Sequence, residues 1–320
     1  VALLVLKIAG AIVLLDILVQ AGFARAIISH FERKPKLRAR AYPPRRDAER
    51  FSVASVDGPL LRGSVLRATG RSTDGVIVFC HEFGGSRWSF QGHCADHVTE
   101  RHDLVTFDFR NHGESDHDRR YTPCHWLTRF EVHDVEAVLE WVATRPEWRG
   151  LPVTLVGVSR GANAALAAAA GSSVHGVVAV GAFSTLDLAM HHLMAGIRRL
   201  VPAILAVPLW HIRSTLRLAI AWSGLRQRVR FVPVEQSVQQ LGGRPVLMLA
   251  GGDDSHVPES FQRLLADRIP QATFWTVPGG RHNLERDASP EEFDDRVRGF
   301  LTAVTGDPAP SASRELASAA

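Results

Sequence analysis

Pro152–Val156 (PVTLV), Gly157-Val158-Ser159-Arg160-Gly161 and Ala162–Ala170 (ANAALAAAA) follow one another without a break. The first is a short apolar run of strand composition, the last an alanine-rich helix, and the five residues between read G-x-S-x-G. A serine on so tight a strand-to-helix turn projects its hydroxyl out of the sheet. Glycines two residues to either side leave room for that turn. The helix N-terminus behind the serine favours negative charge developing in front of it.

Working outward, the same alternation recurs. Gly75–His81 (GVIVFCH), Leu104–Phe109, Val174–Val180, Pro245–Ala250 (PVLMLA) and Thr273–Val277 (TFWTV) read as strands. Trp88–Arg101, Leu127–Thr144, Glu259–Arg268 and Pro290–Val304 read as helices, and Phe51–Val56 with Leu60–Ala68 as a hairpin about Asp57–Gly58. Short apolar strands alternating with helices predict an α/β fold with a mostly parallel, doubly wound sheet. Ser184–Gly243 breaks the alternation with an apolar helical pattern carrying seven arginines, and reads as an inserted helical cap over the C-terminal edge of the sheet.

A serine hydroxyl is a poor nucleophile without a base, and the base needs an acid to orient it. Both residue types follow downstream, each just past a strand. Gly251-Gly252-Asp253-Asp254-Ser255-His256-Val257-Pro258 follows PVLMLA, and Gly279-Gly280-Arg281-His282-Asn283 follows TFWTVP.

With the order serine, aspartate, histidine in place, the sequence resembles the α/β-hydrolase fold, serine esterase branch, over roughly residues 51–304. The resemblance implies Ser159 as nucleophile, His282 as base and Asp254 as acid. Asp254 is preferred to Asp253 because the family's acid stands four residues before the proline of a D-x-x-V-P run. His282 is preferred to His256 because it lies in a glycine-flanked loop after the last strand. The loop His81-Glu82-Phe83-Gly84-Gly85 resembles the family's H-G-x-G loop, with Glu82 in place of a glycine. It implies an oxyanion hole made by the backbone N–H groups of Phe83 and Arg160. Phe107–Ser115 (FDFRNHGES) resembles the family's D-x-R-x-x-G-x-S turn, with Asp108, Arg110 and Ser115 as scaffold. His93 and His97 stand four apart without a third metal ligand nearby and read as structural.

The implied reaction is hydrolysis of small-molecule carboxylic esters through an acyl-enzyme, with apolar acyl groups favoured and no cofactor. A thioesterase or amidase, a cofactor-free C–C hydrolase or oxidase, and a non-catalytic membrane-bound scaffold stay open, since the triad does not choose the leaving group.

Composition narrows the rest. In 320 residues, lysine occurs only at Lys7, Lys34 and Lys36, so the domain after residue 36 has no lysine for a Schiff base or a Walker-type phosphate loop. The net charge of +4 is concentrated. Residues 25–50 hold nine basic side chains against three acidic ones, and residues 51–320 are net negative. That is a local basic segment and not a nucleic-acid-binding surface. Cys80, Cys94 and Cys124 are odd in number and lack metal-ligand spacing.

Residues 1–24 (VALLVLKIAGAIVLLDILVQAGFA) are long and apolar enough to span a bilayer. Asp16 opposes this by roughly 2.5–3.5 kcal/mol at mid-span, which the neighbouring leucine, isoleucine and valine side chains offset. A spanning anchor, an in-plane interfacial helix and a signal sequence are the three readings. The basic run after it favours a single-pass anchor with the following domain on the cytoplasmic side, touching the lipid surface. The expected organisation is thus an anchor over 1–24, a basic linker over 25–50, the hydrolase-like domain over 51–304 with its cap at about 184–243, and a disordered tail over 305–320.

Overall fold

The computed structural model describes residues 2–32, 39–56, 58–94, 96–124, 127–200 and 208–306. The expected tail lies almost wholly outside them. The chain divides into two compact units: Leu37–His117, Phe130–Phe183 and Val234–Ala320 form one, and Val1–Lys36, Asp118–Arg129 and Ser184–Pro233 the other.

The first unit is built on eight strands: β1 (Glu49–Ala54), β2 (Leu60–Leu66), β3 (Gly75–Cys80), β4 (His102–Phe107), β5 (Val153–Val158), β6 (Gly176–Val180), β7 (Val246–Gly251) and β8 (Ala272–Val277). They form one sheet in the order β1-β2-β4-β3-β5-β6-β7-β8. The pairs β1–β2 and β2–β4 are antiparallel, and every pair from β4 to β8 is parallel. The mostly parallel α/β sheet expected from the sequence is therefore present. Strands β3, β4, β6 and β7 are buried at every position, which explains why β3, β6 and β7 read as unbroken apolar runs.

Helices α2 (Asp96–Arg101), α3 (Arg129–Ala143), α4 (Arg160–Ala169), α7 (Val234–Ser237), α8 (Glu259–Ala266), α9 (Glu285–Ala288) and α10 (Pro290–Thr305) accompany the sheet. All ten residues of α4 are buried. Its alanines let the helix backbone sit close to the strands. The core between sheet and helices includes Phe79, Phe90, Val158, Leu249 and Phe293. Each such side chain contributes about 1.5–3 kcal/mol on full burial.

One expected helix is two pieces. Trp88–Arg101 divides into a 3₁₀ turn, Arg87–Gly92, and α2, with His93 as the C-cap of the turn. The 3₁₀ turn ends at Gly92, where a β-carbon would stand 1.9 Å from the Tyr42 hydroxyl. His93 is buried outside α2, and the side chain of His97 lies outside the described residues.

The second unit is helical. It holds α1 (Ala2–Phe31), α5 (Thr185–Leu200) and α6 (Leu209–Gln227). Thr128 and Phe231 form an antiparallel bridge, so residues near 128 join this unit as well as Ser184–Pro233. Its core is Ile27, Met190, Met194, Ile212, Leu216 and Ala219, with Phe23, Ala24 and Ile28 packed against it. α1 runs past Arg25, the first residue of the basic segment, to Phe31, beyond the Ala24 boundary drawn from hydropathy alone. Contacts Asp16–His211, Gln20–Thr215 and Glu32–Arg226 rise together in number, so α1 and α6 run parallel.

Candidate active site

Ser159 joins β5 to α4 in a conformation that side chains rarely adopt, φ 50° and ψ −115°. Its N–H donates to Val180 O at 2.7 Å, and its carbonyl accepts from Asn163 N at 3.1 Å. The glycines of the motif are required by close approach. A β-carbon on Gly161 would stand 2.1 Å from Cys80 O, and one on Gly157 would stand 2.5 Å from Gly161 O. So the backbone of α4 presses on the end of β3, and the serine is held at the apex by strain that the surrounding hydrogen bonds sustain.

Three side chains from three loops meet here. His282 Nε2 lies 2.9 Å from Ser159 Oγ, and His282 Nδ1 lies 2.7 Å from Asp254 Oδ2. The other oxygen of Asp254 accepts the backbone N–H groups of His256 and Val257 at 2.8 and 2.9 Å. The carboxylate is thereby fixed in orientation, and it is fully buried. Asp253 is exposed, its N–H donating to Gly280 O. His256 stacks 5.8 Å from the His282 ring. Burial opposes a charged imidazole at position 282. The hydrogen bond and charge of Asp254 outweigh it, with Glu285 and Glu82 adding to them, and the pKa ends above its ordinary value. A hydroxyl, an imidazole and a carboxylate in series can take a proton from the hydroxyl and stabilise the resulting cation.

The loops carrying Phe83 and Arg160 are neighbours: the Arg160 guanidinium lies 5.4 Å from the centre of the Phe83 ring. Arg160 also pairs with the buried Glu131. Glu82, which replaces a glycine of the family loop, turns inward. Its carboxyl accepts from Ser89 Oγ at 3.0 Å, its carbonyl accepts from Gly85 N, and burial raises its pKa. His81 is held neutral by burial, its pKa lowered to about 3. Phe109 N donates to its Nε2, so Nδ1 carries the proton and donates to Glu82 O at 2.7 Å.

The turn after β4 is scaffold, as its sequence predicts. Asp108 receives Arg87 N, Arg87 Nη1 and Glu114 N, while Ser115 Oγ donates to Asp108 O. Arg110 is fully buried against Asp134 and also reaches Ser55 Oγ.

Glu285 escapes a reading by motif. It lies on α9, three residues past His282, and is completely buried. Burial pushes its pKa up to about 7. Ligand atoms of Asp254, His282 and Glu285 lie within 4.8 Å of one another. As a metal site this set is poor, because both imidazole nitrogens are already committed, one to Asp254 and one to Ser159.

The alpha/beta hydrolase fold family matches residues 75–232, a span that starts with β3 and includes the Ser159 turn. The chain has the α/β-hydrolase fold. Among solved structures with this fold, a Pyrococcus furiosus esterase is 20% identical, with a TM-score of 0.62 over 85% of this chain and 98% of that one. The α/β hydrolase GrgF of Penicillium sp. sh18 is 18% identical, with a TM-score of 0.60 over 81% and 99%. A Butyrivibrio proteoclasticus protein with ferulic acid bound is 16% identical, with a TM-score of 0.57 over 80% and 99%. Two Mycobacterium tuberculosis sequences with the provisional name phosphoribosyl transferase are 33% identical over 144 residues. That match spans 43% of this hydrolase-fold chain and 30% of theirs.

Proposed function

We propose that the protein is a serine hydrolase that cleaves carboxylic esters through an acyl-enzyme, with Ser159 as nucleophile, His282 as general base and Asp254 as its orienting acid. The observation that carries this is the unbroken hydrogen-bonded series from Ser159 Oγ through His282 to Asp254, set at a strained strand-to-helix turn.

His282 Nε2 accepts the hydroxyl proton as Ser159 Oγ attacks the ester carbonyl carbon. The carbonyl π electrons move to oxygen, where the N–H groups of Phe83 and Arg160 receive the charge. The imidazolium then protonates the departing alcohol, and the acyl group stays on Ser159. Water repeats the sequence, with His282 again taking the proton, and releases the acid. Asp254 keeps its charge throughout and holds the imidazole with Nδ1–H toward it.

α1 tethers this enzyme to a membrane, with the basic residues after it on the cytoplasmic side. Within Ala2–Ser29 an 18-residue stretch has a mean hydropathy of 2.6 and no buried residue. Apolar acyl groups are the favoured substrates, since a bilayer concentrates them beside the enzyme. The name carried by the mycobacterial sequences refers to proteins mostly outside this match, and no feature of the site favours transfer of a phosphoribosyl group.

Ester hydrolysis by the full chain and by Ser159→Ala, across a panel of acyl-chain lengths, tests the reading. Turnover should fall by up to about 10⁶-fold in the variant. Retention of more than a few per cent would overturn the assignment of Ser159.

A further inference from the structure

Two polar side chains of α1 poorly suited to lipid, Asp16 and Gln20, are met by α6, as is Glu32 just past its end. Asp16 Oδ1 lies 3.0 Å from His211 Nε2, and its other oxygen accepts Gln20 Nε2 at 2.7 Å. Gln20 Oε1 in turn accepts Thr215 Oγ1 at 3.3 Å, and Glu32 accepts Ser223 Oγ at 2.8 Å. Before this seam the large apolar residues of α1, from Leu3 to Leu15, are exposed. At 1.5 Å per residue those turns extend about 20 Å ahead of Asp16.

α6 carries a second exposed apolar surface. Trp210, Leu218, Trp222 and Leu225 are 60–75% exposed, with Leu209 beside them. Spacings of eight, four and three residues put the four on one side of the helix, within an arc of about 120°. Leu218 and Trp222 share a groove with Ile17, Ala21, Ala24 and Ile28 of α1, so the apolar surface continues from one helix to the other. Arg213, Arg217 and Arg228 stand on or at the end of the same helix, and Arg25 lines the same groove on α1. Tryptophan flanked by arginine is the composition of a surface lying among anionic headgroups.

We propose that α6 is a second membrane-contacting element, whose first turns, with the exposed Leu209 and Trp210 and with Arg213 and Arg217, lie in the headgroup region of the same anionic bilayer that takes the apolar turns of α1. The Asp16–His211 contact is the joint between the two helices at that level. This rests on the membrane reading of α1 given above, and extends it: the helical unit meets lipid through two elements fixed to each other.

The test uses environment-sensitive labels on the full chain in phosphatidylcholine vesicles with and without phosphatidylglycerol. Labels go on Trp210→Cys for α6, Leu4→Cys for α1 and the exposed Glu140→Cys of α3 as control; the native cysteines are buried. The Trp210→Cys label should shift to the blue, more so with phosphatidylglycerol, and be quenched more by nitroxide lipids labelled near the headgroup than near the chain end. The control should stay water-like. A water-like label at 210 with a lipid-buried label at 4 overturns the inference and leaves the anchor standing. Water-like labels at both positions overturn the inference and the anchor together. A blue shift at 210 without lipid quenching means a protein surface, such as a second copy of the chain, covers α6, and also overturns it.

Discussion

Asp254, and not the adjacent Asp253, faces His282: one oxygen of Asp254 lies 2.7 Å from His282 Nδ1 while the other is held by two backbone N–H groups. Asparagine at 254 would present an amide that can stabilise the wrong tautomer of His282. Asp254→Asn should therefore lose on the order of 10⁴-fold in kcat, whereas Asp253→Asn should stay close to the parent. Steady-state ester hydrolysis by both variants checks this, and a reversed ranking would move the acid to 253.

The pH profile carries a sign. His282 acts as base only when neutral, and its pKa is raised, chiefly by the Asp254 hydrogen bond and charge against opposing burial. Activity should thus fall on the acid side with a midpoint above the ordinary histidine value of about 6.5. Glu285 adds negative charge beside the ring when ionised. Glu285→Gln should move the acid midpoint to lower pH with little loss at alkaline pH, as read from kcat/KM against pH. An unmoved midpoint would leave Glu285 a packing residue only.

Stability should depend on a buried ion pair outside the triad. Arg110 and Asp134 are both fully buried and bonded at 2.7 Å, so removing one strands the other charge. Asp134→Ala should cost roughly 3–5 kcal/mol by denaturant unfolding. Molecules that remain folded should hydrolyse ester at the parental rate.

The fold was legible because its evidence is local. β3 and β7 are unbroken buried runs, and the serine turn sits between a strand and an alanine helix whose period differs from it. Candidate site residues were legible for a related reason: Ser159, Asp254 and His282 each follow the C-terminal end of a strand, so a parallel sheet delivers them to one edge. Glu285 was not, because its relation to His282 depends on how α9 turns back after the loop. The pairing of α1 with α6 was not legible either. Hydropathy sees Asp16 as an isolated cost, while its partner His211 is far along the chain. The close approach of Tyr42 to Gly92 is equally remote in sequence.

Glu82 gives a contrast within the loop after β3. Its carboxyl is buried, accepts Ser89 Oγ and has a raised pKa from burial, so its task is to fill and brace the loop. Glu82→Gln keeps that acceptor and volume and should hold kcat/KM within a few-fold. Glu82→Ala loses both and should reduce turnover and thermal stability together. Equal, large losses of turnover in both variants would assign the charge itself a role.

The most direct test is covalent. The full chain, treated with a fluorophosphonate and digested, should yield a phosphonylated peptide with the added mass on Ser159 at near-stoichiometric occupancy. Labelling should vanish in Ser159→Ala and slow markedly in His282→Ala. Stoichiometric adduct on another residue, or no adduct in folded protein that hydrolyses esters, would contradict the account.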